Sequence, residues 1–131
     1  MKNNIVKILA LTILVGAPFW VSADISKIVF TTEEQHIKQN ELSGPITIQV
    51  QDSSGNTFQT PETIDLEFIS SSETGEFLGS TGNPATKTMS RNTSNRTSYY
   101  KDSNEGSFVL TIKAVGRESG KSWEASQNIL S

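Results

Sequence analysis

The chain has 131 residues, no cysteine and a net charge of −3, and these properties restrict both its fold and its partners. This length suits one domain, which must hold its fold without disulfide bonds. An acidic chain with no basic cluster lacks the charge that nucleic acids and anionic lipids select, so we expect neither as a partner.

Residues 1 to 23 have the three parts of a secretory signal peptide. A basic start precedes an apolar segment over residues 8 to 15 and a small-residue cleavage site over residues 21 to 23. An uncleaved membrane anchor is the alternative, but an anchor needs about 18 continuous apolar residues, and Pro18 interrupts this segment. We therefore predict cleavage after Ala23, a secreted, periplasmic or cell-surface location, and no membrane contact after cleavage.

The predicted mature chain, residues 24 to 131, forms one domain in this interpretation. It carries nine basic and fourteen acidic side chains, a net charge of −5. A chain of this size buries roughly two-thirds of its unfolded surface, which is enough for a core without cross-links. Nothing in it has the apolar length of a second membrane segment.

Alternating apolar and polar residues predict strands in the first half of the mature chain. Residues 26 to 32 form the first strand, and a polar break over residues 33 to 35 separates it from a weaker extended piece over residues 37 to 42. We expect a bend there to divide one edge strand into two. Residues 45 to 52 then predict a half-buried strand, which ends in a turn sequence over residues 52 to 56.

The same alternation continues to the end of the chain, and helical spacing is absent after the signal peptide. It predicts further strands at residues 63 to 69, 76 to 78, 98 to 101, 107 to 115 and 121 to 130.

Residues 85 to 98 contain few apolar side chains and are interpreted as a solvent-facing edge strand and a loop. About seven short strands, each with one apolar face, predict an all-β, antiparallel two-sheet sandwich of the immunoglobulin-like class.

Four segments share a pattern: residues 46 to 56, 64 to 68, 99 to 102 and 106 to 112. A strand ending in Asp-x-x-Gly-Asn precedes an alternating strand, and a glycine-containing turn introduces a late threonine-containing strand. The pattern resembles the bacterial immunoglobulin-like domains of the invasin and intimin type, over about residues 26 to 130. The resemblance implies a non-enzymatic spacer or adhesive module at the cell surface, whose partner is an unidentified protein or glycan.

The large aromatic residues with polar tips in the mature chain are Tyr99, Tyr100 and Trp123. Exposed together, such side chains stack on sugar rings or anchor a protein partner, so they are the candidates for a carbohydrate- or ligand-binding module. Packing in the core is the alternative, which we favour for Trp123. Neighbours on one strand point to opposite faces, so we expect one tyrosine to be packed and the other exposed.

Two acidic turns contain candidate ligands for calcium, which binds clustered oxygen atoms: Asp52, Asn56, Asp102, Asn104 and Glu105. Neither turn has the Asp-x-Asp-x-Asp-Gly ladder, and tight turns use the same residue types. Ordinary turns are therefore the favoured interpretation, with calcium as the alternative and no other cofactor expected.

Catalysis has little support in the sequence. His36 is the only histidine, and no nucleophile stands in a recognisable spacing to it. The carboxylate pair Asp65 and Glu67 has the composition of a glycosidase acid and base, but alternation places both on the solvated face of one strand. A further alternative is polymerisation by strand exchange, with residues 26 to 42 and 85 to 93 as weakly held edges.

Overall fold

The computed structural model describes residues 24–131, which form two β-sheets packed face to face. The predicted signal peptide lies outside the described residues. The strands are β1 (Lys27–Phe30), β2 (Gln35–His36), β3 (Ile46–Gln51), β4 (Ile64–Ser70), β5 (Glu76–Leu78), β6 (Thr88–Met89), β7 (Asn95–Lys101), β8 (Ser107–Gly116) and β9 (Ser122–Leu130). Among residues 24–131, no helix has the length and hydropathy that crossing a membrane requires.

The first sheet has the strand order β1-β3-β7-β5, and the second has the order β2-β9-β8-β4-β6. All pairs are antiparallel except β2 with β9, which is parallel. We call the end where β3 ends and β4 begins the lower end, and the end where β7 ends and β8 begins the upper end. The predicted all-β, two-sheet sandwich is confirmed, with nine strands in place of about seven.

The alternation in the sequence produces the core, because every second side chain of a strand points between the sheets. In β3 the apolar residues Ile46, Ile48 and Val50 are buried, while the polar residues between them lie on the outer face. A lower cluster gathers around Ile48 and Ile112, and an upper cluster around Tyr100 and Leu110. Each fully buried aliphatic side chain stabilises the fold by about 1.5–3 kcal/mol.

The first strand is divided between the two sheets, as the predicted bend requires. The second piece lies at Gln35–His36, however, so the prediction of an extended piece over residues 37 to 42 is wrong. The physical reason for the difference is that Ile37 ends the pairing with β9. The Ile37 N–H donates to the Leu130 C=O at 2.8 Å, and the Ile37 side chain packs in the upper cluster. A turn with Asn40 at a φ of 61° follows.

The region interpreted as an edge strand and a loop is more ordered than expected. Met89 of β6 is fully buried, and β7 begins at Asn95, three residues before the predicted start. The extension is held by polar side chains on the outer face, where the Thr97 and Thr47 hydroxyls are 2.7 Å apart. A search for alternating apolar residues does not detect a strand that is held by polar side chains on its outer face.

Candidate functional site

The three candidate aromatic residues lie in three different places. Tyr99 is partly exposed on the outer face of the first sheet, opposite Leu78. Tyr100 has a relative exposure of 0%, so it cannot contact a ligand in this structure. Trp123 is partly exposed at the other sheet and packs against the lower cluster. The structure therefore does not bring them together as one binding surface.

The buried Tyr100 and Asp102 form the centre of a polar network at the upper end. The Tyr100 hydroxyl donates to Asp102 Oδ2 at 2.6 Å and lies 2.7 Å from Ser70 Oγ. The other carboxylate oxygen, Asp102 Oδ1, accepts from the Thr74 hydroxyl and from the Asn104 N–H. Because a buried charge without partners destabilises a fold by several kcal/mol, these bonds make the burial of Asp102 possible.

The network shifts the titration of both groups. Burial opposes the charge of Asp102, but the hydrogen bonds from Thr74, Tyr100 and Asn104 outweigh it, and the pKa of Asp102 lies below its ordinary value. Burial, followed by the bond to the Asp102 carboxylate, raises the pKa of Tyr100 to about 12. At neutral pH the pair is a phenol bonded to a carboxylate, and both groups are buried.

Gly75 leaves the space that the Tyr100 hydroxyl occupies. A Cβ atom on Gly75 would overlap the Tyr100 hydroxyl oxygen and lie 2.8 Å from Ser70 Oγ. The turn between β4 and β5 therefore needs a residue without a side chain at this position.

The five candidate calcium ligands are split between the two ends of the sandwich, because β3 and β7 are antiparallel. Asp52 lies at the lower end, where its Oδ1 accepts from the Ser54 and Asn56 N–H groups at 2.9 and 3.0 Å. Asp102 lies at the upper end and is occupied by the tyrosine network. Within residues 24–131, no three histidine or acidic side chains stand close enough to share a metal ion.

A shallow depression of about 470 Å³ lies on the outer side of the second sheet, across β4, β8 and β9. Its lining combines four charged residues with one serine and three apolar residues: Asp65, Leu66, Glu67, Lys113, Val115, Ser122, Trp123 and Glu124. Cross-strand pairing places Glu67, Lys113 and Glu124 in one row, with the lysine between the two carboxylates. Such a surface offers several hydrogen-bonding groups, whereas the indole of Trp123 points to the opposite face of the sheet, towards the lower cluster.

The charged rim of this depression is held by an ion pair on the surface. Arg117 Nη2 lies 2.7 Å from Asp65 Oδ1, and this bond lowers the pKa of the Asp65 carboxyl group. Both side chains remain open to solvent, so the pair orients the groups without adding much stability.

Sequence reasoning named Trp123 but missed its neighbours. Alternation places Asp65 and Glu67 on a solvated face, as the structure has them. Their position beside Lys113 and Glu124 depends on the register of β4, β8 and β9, which no local pattern in one chain encodes. The tyrosine network was also missed, although Tyr100 and Asp102 stand two positions apart and thus share one face.

The two sheets, their order and the first strand shared between them define an immunoglobulin-like sandwich. The predicted likeness to bacterial immunoglobulin-like domains is confirmed as a likeness of fold. No protein-family model matches the chain, and no curated protein sequence matches it.

The solved structures that are similar to this chain include those of an S-layer protein and of intimin. For the crystal structure of domains 4 and 5 of the S-layer protein SbsC, the TM-score is 0.52 and the identity 18%, over 89% of this chain and 49% of that one. For the D00-D0 domain of intimin, the TM-score is 0.48 and the identity 14%, over 90% of this chain and 54% of that one. The chain thus spans about half the length of the structures it matches.

Proposed function

We propose that this chain is an exported, non-enzymatic immunoglobulin-like module with a structural or adhesive role at the cell surface. The observation that carries the proposal is the sandwich fold, similar to that of S-layer domains, in a chain that begins with the pattern of an export signal. The partner in this role is a protein or glycan of the cell surface.

The bonding of the ionisable groups supports a non-enzymatic role. Catalytic groups combine a shifted pKa with access to a substrate in a cleft. In residues 24–131, the side chains with shifted pKa values are bonded to neighbouring parts of the fold, and of these only Asp65 lines the depression: Asp24, Glu62, Asp65, Tyr100, Asp102, Arg117 and Lys121.

The location is tested by treating intact cells with an external protease and following the chain with an epitope tag after Ser131. We expect the full chain to be cut on intact cells or found in the medium, while a variant lacking residues 1 to 23 stays inside and protected. A full chain that stays in the cytosol contradicts the proposal.

A second candidate function is glycan binding at the depression across β4, β8 and β9. Carboxylates accept hydrogen bonds from sugar hydroxyls and an ammonium group donates to them, so the lining supports this class of ligand. A glycan array probed with the purified domain tests it. Glu67→Gln and Glu124→Gln should reduce binding, whereas Tyr99→Phe on the other sheet should not. An array on which the unaltered domain binds nothing contradicts this candidate.

A further inference from the structure

The outer edges of the two sheets differ in how well they are protected against pairing with another strand. β1 has four residues and begins with Lys27, β5 has three residues, and β6 has two. Short edge strands and edge lysines are the usual means of preventing edge-to-edge association. The exception is β9, which has nine residues and is covered by β2 only at Ile129 and Leu130.

In the part of β9 that β2 does not cover, every second residue directs its backbone N–H and C=O groups away from β8. The Gly116 N–H donates to the Lys121 C=O, and Gly106 and Ser131 exchange two hydrogen bonds, so the odd-numbered residues of β9 face β8. The even-numbered residues therefore direct their N–H and C=O groups away from the sheet. At Ser122, Glu124 and Ser126, no other strand of residues 24–131 receives them.

The strand β1 of the first sheet packs alongside this stretch, but the stretch itself carries none of the residues that usually protect an edge. Residues 122–126 contain no proline, glycine or lysine, and the charge of Glu124 lies on an exposed position of the strand. Trp123 faces the core but stays partly exposed, and within residues 24–131 no strand of the second sheet lies beyond it. A tryptophan at the rim of a core gains buried area when a second surface covers it.

We propose that the free edge of β9 pairs with the same edge of a second copy of this chain, antiparallel about a two-fold axis at Trp123. Each Ser122 then lies opposite Glu124 of the second copy, and these two pairs exchange four backbone hydrogen bonds. The two Trp123 side chains meet in the non-hydrogen-bonded position, where cross-strand aromatic pairs are most favourable. The second sheets of the two copies form one continuous sheet.

The charge of Glu124 and the position of β2 favour this register over the registers with the two-fold axis one or two residues further along β9. An axis at Glu124 would set two carboxylates directly opposite each other, which is unfavourable. An axis at Ala125 would place Ser122 of the second copy opposite Asn128, so its preceding turn would meet β2 where Gln35 joins Ile129. The axis at Trp123 avoids both problems, and it depends on neither the export nor the adhesive role.

A cysteine placed on the axis tests the register, because the chain has no cysteine of its own. In Trp123→Cys, the two Cα atoms stand about 4.5 Å apart, within the range that a disulfide spans. In the control Ala125→Cys, each thiol faces Lys121 of the second copy, and the two lie roughly 13 Å apart. We expect mild oxidation of residues 24–131 to give a covalent dimer of Trp123→Cys and a monomer of Ala125→Cys. A folded Trp123→Cys that stays monomeric, or a dimer of Ala125→Cys, overturns the proposal.

A pair of charge substitutions keeps the test independent of the tryptophan's packing. Ser122→Lys places an ammonium group opposite Glu124 of the second copy, and Ser122→Glu places a carboxylate there. Sedimentation velocity at high protein concentration should show a larger dimer fraction for Ser122→Lys than for the unaltered domain, and a smaller one for Ser122→Glu. The same changes at Ser126 should have little effect. Equal sedimentation of the two Ser122 variants overturns the proposal.

Discussion

The upper end of the sandwich and the outer side of its second sheet use polar side chains in opposite ways. At the upper end, Tyr100 and Asp102 are 0% and 1% exposed, and their polar atoms are bonded within the fold. On the outer side, Glu67, Lys113 and Glu124 stand exposed in one row. The first region stabilises the fold and offers nothing to a ligand, whereas the second contributes little stability and is accessible to partners.

The largest expected effect is that of removing the buried carboxylate. Asp102→Ala leaves the Tyr100 hydroxyl, the Thr74 hydroxyl and the Asn104 N–H without their acceptor, so we expect a loss of about 3 kcal/mol in the free energy of unfolding. Urea denaturation measures it. The matched control, Asp52→Ala, removes a partly exposed turn carboxylate and should cost about 1 kcal/mol or less. Equal losses in the two variants would contradict the contrast between the regions.

A smaller loss is expected when the space above Tyr100 is filled. Gly75→Ala forces the hydroxyl of Tyr100 away from its partners, at a cost of about 2 kcal/mol. Gly79→Ala is the control, because its Cβ atom meets only ordinary contacts at 3.6 Å or more. Thermal unfolding followed by circular dichroism should rank the two variants in this order, and a Gly75→Ala variant as stable as the control would exclude a steric role for Gly75.

The pH dependence of stability reports on the same network. The pKa of Tyr100 is raised to about 12 in the folded chain, while an unfolded tyrosine titrates near about 10. Its contribution is therefore complete below about pH 10 and is lost as the pH rises towards about 12. Tyr100→Phe should lower the free energy of unfolding by about 1–2 kcal/mol at neutral pH and flatten this alkaline decline. Urea titrations from neutral pH to about pH 11 provide the measurement.

The smallest expected effect is that of calcium. Asp52 and Asp102 already accept hydrogen bonds from their own turns and lie at opposite ends of the sandwich. We therefore expect millimolar calcium to leave the melting temperature within the scatter of a magnesium control. An increase of several degrees with calcium alone would show that one turn rearranges to bind it.

Local alternation was sufficient for the strands that have one apolar face. β3, β4 and β8 follow the predicted bounds closely, because burial of every second residue is what forms them. It failed where pairing relies on other contacts. β2 depends on two backbone contacts with β9, and the start of β7 depends on polar side-chain hydrogen bonds to β3.

The candidate site was less predictable than the fold, since its parts come from distant segments. Thr74 and Asp102 meet across 28 positions, and Glu67 meets Lys113 only through the register of β4 and β8. A turn rich in aspartate and asparagine has the same composition whether its oxygen atoms face a cation or their own backbone. Composition therefore identified the acidic turns but left their chemistry open.

The parallel pairing of β2 with β9 has a consequence for a chain that is pulled. β1 begins at the lower end and β9 ends at the upper end, so tension between these points runs along the strands. The bond from the Ile37 N–H to the Leu130 C=O then lies across the direction of pulling and is loaded in shear together with its neighbours. Such bonds must break at once and not one after another, which gives the sandwich a mechanical resistance that its equilibrium stability does not measure.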